Sequence, residues 1–260
     1  MTHPEPATRR HSATWSLIHA ERAALAGDLA GLTDRQWATP SLCAGLTVRE
    51  VLAHLTAGAS LGPARWMAGV IRCRFDFDRQ VAMRLAEQLG ATPAGTLARF
   101  RRVSTGTTKP PLPAVAMLGE AIVHGEDIRR PLGLHRDYPI TTLTRVAGYY
   151  HGSDLVVLAK GRVRGLRLAA TDGPFGAGSG PLVSGTTLAL IMAMTGRTLY
   201  CDELDGDGAA ILRDHGTSRP DAKTRAAKAI RGSDRGNDSD VDRTRVLRRP
   251  GTHSRWARRR

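Results

Sequence analysis

Residues 119–130 read GEAIVHGEDIRR, and the fold turns on how this stretch is read. It lies in an apolar-periodic segment running from about Pro113 to Arg130, with Val115, Leu118 and Ile122 as core-facing positions and Pro131 and Gly133 as stops. That pattern predicts a long, largely buried helix. Glu120 and His124 are four residues apart. On a helix such a pair shares one face, with Cβ atoms roughly 5–6 Å apart, and Asp127 continues their line one turn on. An unpaired carboxylate on a packed face is costly, so Glu120 must be paired or bound to a cation.

Working outward, residues 12–31 predict a first helix, in which Trp15, Ile18, Arg22, Leu25 and Leu29 trace one stripe. Pro40 and Gly45 break the connection that follows. Thr47 and Glu50 have capping-box spacing and open a second helix, with Val48, Val51, Leu52 and Leu55 inside. FDFDRQVAMRLAEQLG (75–90) predicts a third helix and TPAGTLARFRRV (92–103) a shorter one, before the proline-rich loop STGTTKPPLP. Long antiparallel helices with such connections give an α-helical N-terminal domain, an up-and-down four-helix bundle. After Tyr138 the pattern changes. TTLTRVAGYYHGSDLVVLA is helical, GLRLAATD a strand, GPFGAGSGP a glycine-rich turn region, SGTTLALIMAMTG a helix, RTLYCDEL a strand and DGDGAAILRD a short helix. This mixed order predicts a small α+β C-terminal domain. The expected division is 12–135, 139–215 and a basic, disordered tail over 216–260.

The formal charge of +14 is unevenly spread. Residues 216–260 hold 14 of the 38 Lys and Arg and 5 of the 24 acidic residues, a net of +9 against +5 for the rest. The body is therefore not a basic module. The tail offers non-specific nucleic-acid contact that would fade with salt, but it has one aromatic, Trp256, for base stacking. Cys43, Cys73 and Cys201 are scattered and form no C-x-x-C word, which suits a reducing cytoplasm. The N-terminus has no apolar signal core, and no apolar run approaches the ~18 residues of a membrane span.

Glu120 and His124 supply two ligands for a metal. A histidine from a facing helix would supply the third, and two His with one Glu and a position left open is a catalytic zinc pattern. His54, on the border of the second helix's apolar face, is the candidate; His19, His135 and His151 are rivals, and spacing does not choose among them. Without a metal, Glu120 and His124 would be a solvated pair or an internal salt bridge, and His54 a satisfied core histidine.

TVREVLAHLTAG, FDFDR, LGEAIVHGEDIRRPLG and the C-terminal LAATDGPFGAGSGPLVSGTTLALIMAMTGRTLYCDELDGDGAAIL resemble, in that order, the mycothiol-dependent maleylpyruvate isomerase family. The resemblance covers roughly residues 12–214. It implies a DinB-like metal-binding bundle followed by a sterol-carrier-like domain. It also implies a divalent metal, zinc, on His54, Glu120 and His124, and mycothiol as the thiol cofactor, bound as the nucleophilic thiolate. Asp127 would orient His124 or pair with an arginine, the alternative being a surface salt bridge. Arg72, Arg79 and Arg130 are candidates for holding a substrate carboxylate. Leu46 stands where many relatives have Trp, and the tail beyond His215 has no counterpart in the family pattern. The implied activity is that of an isomerase or thiol S-transferase acting on a small electrophilic or unsaturated acid. The competing reading is a non-catalytic DinB-like protein that binds a metal or small molecule.

Overall fold

The computed structural model describes residues 7–217, with side chains from residue 11 onward. Its helices begin where the sequence supplies caps. Helix α1 (Ala7–Asp28) is followed by the short α2 (Asp34–Trp37) and by α3 (Val48–Ser60). At the start of α3, Glu50 Oε2 accepts the Thr47 backbone N–H at 2.7 Å, while Thr47 Oγ1 accepts the Glu50 N–H, which is the expected capping box. Pro63 opens α4 (Pro63–Arg72), a helix additional to those expected from the sequence pattern. Then come α5 (Phe77–Gln88), α6 (Pro93–Val103) and α7 (Ala114–Arg129). Helix α7 passes into a 3-10 turn, Arg130–Leu132, ended by Gly133 at φ 67°, a left-handed conformation that glycine adopts without strain.

Helix α7 lies against α1 and α3; α3 also packs against α5 and α6, and α6 reaches α1. The second part of the chain runs α8 (Ile140–Gly152), α9 (Ala159–Arg162), β1 (Arg167–Ala170), β2 (Gly176–Gly178), β3 (Leu182–Gly185), α10 (Thr187–Met194) and α11 (Gly208–Thr217). The sheet is small and mixed, in the order β2-β1-β3. Leu168 faces Ala177 across the antiparallel pair and Val183 across the parallel one. The expected fold class, a helical bundle followed by a small α+β region, is therefore what the chain adopts.

Five expectations change. TTLTRVAGYYHGSDLVVLA is not helical throughout: α8 stops at Gly152, and helix resumes only at Ala159. Ser184 and Gly185, expected to open the helix SGTTLALIMAMTG, instead close strand β3, and α10 begins at Thr187. The glycine-rich segment contains strand β2 as well as turns. RTLYCDEL is not a strand: Thr198–Glu203 is 3-10 helical. The reason lies in its partners. In a strand, residues 197 and 200 would face opposite sides, whereas i and i+3 of a 3-10 turn align. Both side chains are needed on one side, where Arg197 meets Asp127 and Tyr200 meets Glu126. Finally, Gly216 and Thr217 extend α11, and the remaining expected tail, 218–260, lies outside the described residues. None of the described helices is long and apolar enough to cross a membrane.

The buried apolar residues form two clusters. One joins Trp15 and Ile18 of α1 and Met117, Leu118, Ile122 and Val123 of α7 to α8, the sheet and α10. The other joins Leu25 and Leu29 of α1 and Ile128 of α7 to α3, α5 and α6. Helices α1 and α7 thus serve both cores, and their polar residues Arg22 and His124 to Asp127 fall at the seam. Gly119 sets how closely α8 approaches this seam, because a Cβ there would stand 2.6 Å from the Tyr150 hydroxyl. Gly119→Ala is expected to cost about 1–3 kcal/mol through overpacking, read as a lowered midpoint in chemical denaturation with an unchanged far-ultraviolet spectrum.

Candidate metal centre

Helical spacing brings Glu120 and His124 together as expected, with His124 Nε2 3.4 Å from Glu120 Oε2. The packing of α3 against α7 adds His54, whose Nε2 lies 3.5 Å from the same carboxylate oxygen. The two imidazoles meet edge-on, with ring centroids 5.0 Å apart. Their ligating atoms and that of Glu120 all lie within 4.8 Å of one another. Three ligands each ~2.0–2.1 Å from a tetrahedral zinc would be separated by ~3.3–3.4 Å, close to the two distances observed. The residues present therefore fit a metal.

His124 is fully buried, and its orientation is imposed from behind. Its Nδ1 lies 2.7 Å from Asp127 Oδ2. Asp127, also fully buried, accepts two further hydrogen bonds from Arg197: Nε to Oδ1 at 2.9 Å and Nη2 to Oδ2 at 2.5 Å. Burial opposes the charge on Asp127, but the Arg197 guanidinium and then His124 outweigh it, holding the carboxyl well below the usual carboxylate range. An ionised Asp127 only accepts, so His124 donates to it through Nδ1–H, which leaves Nε2 directed towards Glu120.

The neighbouring polar residues of α7 are tied in other directions. Glu126 accepts hydrogen bonds from the hydroxyls of Tyr138 (2.7 Å) and Tyr200 (3.1 Å). Burial, and next the Glu126 carboxylate, push both phenols above the ordinary tyrosine value. Arg129 donates to Asp28 of α1 at 2.7 Å and to the Tyr138 hydroxyl at 2.8 Å.

A second group of possible ligands, Cys43, His124 and Asp127, shares two of these residues. A cation there would lie against the Arg197 guanidinium on Asp127, so electrostatics favour the Glu120 side of His124. Of the rival histidines, His19 lies 3.3 Å from the Gly106 carbonyl, His135 pairs with the exposed Asp137, and His151 is in neither group of ligands.

A cleft of about 20 Å³ opens beside His54 and Glu120, lined also by Arg22 and Met117 among others; the buried His124 is not part of its lining. Arg72, Arg79 and Arg130 are not among its lining residues, and Arg130 is paired with Glu203 and stacked over the Tyr200 ring. The arginine at the cleft is Arg22. Its signal was present in the sequence as a charged residue inside the apolar stripe of the first helix. Arg197 left no such signal, because its segment read as a strand.

Residues 18–108 match the family model for the mycothiol maleylpyruvate isomerase N-terminal domain. His54 lies inside the match to the mycothiol maleylpyruvate isomerase N-terminal domain, and Glu120 and His124 lie beyond it. The crystal structure of a mycothiol-dependent maleylpyruvate isomerase superposes with a TM-score of 0.54 at 14% identity, covering 76% of this chain and 93% of that one. A His-to-Ala variant of the mycothiol-dependent maleylpyruvate isomerase gives the same score and coverage at 13% identity. At such identity the likeness is one of fold, and it extends past the matched domain into the C-terminal region. No curated protein matches the sequence.

Removing Asp127 would leave Arg197 buried without its carboxylate. Asp127→Ala is expected to cost about 3–5 kcal/mol, and most of that loss should be recovered when Arg197→Met is added. A double-mutant cycle by denaturant unfolding checks both. The pH dependence follows from the lowered carboxyl. The contribution of Asp127 is complete above its ordinary value of 3.8 and is lost as pH falls below it. The stability difference between wild type and Asp127→Asn, measured by thermal unfolding, should therefore be constant from about pH 5 to 7 and shrink in acid.

Proposed function

We propose that the protein is a metal-dependent enzyme that uses mycothiol as its thiol cofactor. It would act as an isomerase or thiol S-transferase on a small electrophilic or unsaturated acid, with zinc held by His54, Glu120 and His124. The observation that carries this reading is the convergence of the three side chains at 3.4–3.5 Å around one oxygen, beside a cleft, with His124 oriented by Asp127. The domain match and the isomerase fold support it. The expected units, a bundle over 12–135 and an α+β domain over 139–215, are kept as the division of labour. A reducing cytoplasm suits the three described cysteines, none of which is in a disulfide.

A bound zinc would stabilise a thiolate at its open position at neutral pH, and the thiolate is the nucleophile that adds to an electrophilic carbon. The chain's own contribution is positional. Asp127 holds the His124 tautomer whose Nε2 faces the site, and Arg197 keeps Asp127 ionised. Glu120 contributes negative charge that attracts a cation. Met117 and Ala121 line the cleft with apolar surface and limit water.

A metal-binding protein without turnover is the second reading. It is favoured by the small size of the cleft, about 20 Å³, against the ~300–1,000 Å³ typical of ligand pockets. Metal analysis and a thiol-dependent assay separate the two. Elemental mass spectrometry of untagged protein should find about one zinc per chain, lost in Glu120→Ala and in His124→Ala. Conversion of an unsaturated acid that requires both zinc and mycothiol would establish the enzyme. Stoichiometric zinc with no thiol-dependent turnover would leave the binder, and no zinc even after supply would reduce the triad to a buried polar cluster.

A further inference from the structure

Arg22 interrupts the apolar stripe of α1 between Ile18, in one core, and Leu25, in the other. It is 6% exposed and lines the cleft with His54 and Glu120. The other buried or half-buried arginines around this seam have carboxylate partners: Arg129 on Asp28, Arg136 on Glu21 and Arg197 on Asp127. Arg22 differs. Its hydrogen bond among the described residues is from Nη1 to the Gly106 carbonyl, at 3.2 Å. No ion pair within 4.0 Å forms between it and Glu120 across the cleft. Burial alone lowers its guanidinium to about 10, with no neighbouring acid raising it again.

A guanidinium taken out of water and bonded to one carbonyl is costly. Its donor fork matches the two oxygens of a carboxylate. We propose that Arg22 is the carboxylate-binding residue of this site, holding a carboxylic-acid ligand beside the His54, Glu120 and His124 position. The inference rests on the reading of the triad as a metal centre in one respect only: it takes the acid held by Arg22 to be the substrate. With a carboxylate at Arg22, the rest of a short acid would lie next to the open ligand position, because the same cleft serves both. Entry of the acid displaces the unbranched Met117 side chain, which adapts more readily than a branched one.

The test uses the full chain and maleate as the probe, titrated by calorimetry into zinc-loaded and metal-stripped protein. In Arg22→Met, maleate affinity should fall by about tenfold or more, and Arg22→Lys should recover part of it. Zinc content should be unchanged. The melting temperature of Arg22→Met should equal or exceed that of wild type, since a buried charge is replaced by a side chain that suits Ile18 and Leu25. A structural strut to the Gly106 loop would behave oppositely, with a lower melting temperature and unaltered maleate affinity, and that result overturns the proposal. So does a wild-type protein that binds no maleate in either metal state. Arg22-dependent maleate binding by a protein that takes up no zinc would sink the metal reading and leave the role of Arg22 standing.

Discussion

The buried ion pair between Asp127 and Arg197 is the constraint on which the rest of this structure depends. One carboxylate does two things. It accepts from His124, which fixes the imidazole, and it accepts twice from Arg197, which fixes the segment after α10. Ion pairs at a surface contribute little, and a buried one need not be net stabilising. What it imposes is specificity: any arrangement that separates Asp127 from Arg197 strands a charge in the interior. The orientation of His124 on α7 is thereby linked to the docking of the C-terminal region.

That link runs through a polar layer between two apolar cores. Helix α7 gives Leu118 and Ile122 to one core and Ile128 to the other, and between them it turns His124, Glu126 and Asp127 towards different neighbours. At about 100° per residue, adjacent positions on a helix must point apart, so a run of polar residues reaches several elements. His124 faces α3, Glu126 receives Tyr138 and Tyr200, Asp127 receives Arg197, and Arg129 reaches α1. Each group finds a partner of opposite character, which is the condition for burying it. The helix looked anomalous as a sequence because its hydrophobic face is shared between two cores.

The chemistry of the site follows from this layering. The apolar clusters on either side bury His124 completely and leave His54 and Glu120 only partly exposed, and the polar layer supplies groups of the kind a cation needs. Arg22 lies in the same layer on α1, so an anion-seeking and a cation-seeking group line one small cleft. A site of this kind suits a ligand with a carboxylate at one end and a reactive centre near the other.

Much of this was legible in the sequence, and the boundary of legibility has a physical cause. The capping box at Thr47, the helical face shared by Glu120 and His124, and the stop at Gly133 follow from contacts within about one helical turn, where chain geometry leaves little choice. The family resemblance extended that reading to His54. Other features required the folded chain. His54 meets Glu120 across α3 and α7, Arg197 meets Asp127 from 70 residues away, and RTLYCDEL abandons its strand pattern for a 3-10 turn so that Arg197 and Tyr200 can face α7 together. Arg22 was visible as a misfit in a stripe, but its proximity to the triad was not. The sequence by itself determined the helices, their caps and the pairing of Glu120 with His124, because these depend on local periodicity. The place of His54 beside Glu120, the ion pair behind His124 and the arginine at the cleft were decided by tertiary structure alone, because they depend on which distant surfaces are driven together when two hydrophobic cores close on the same two helices.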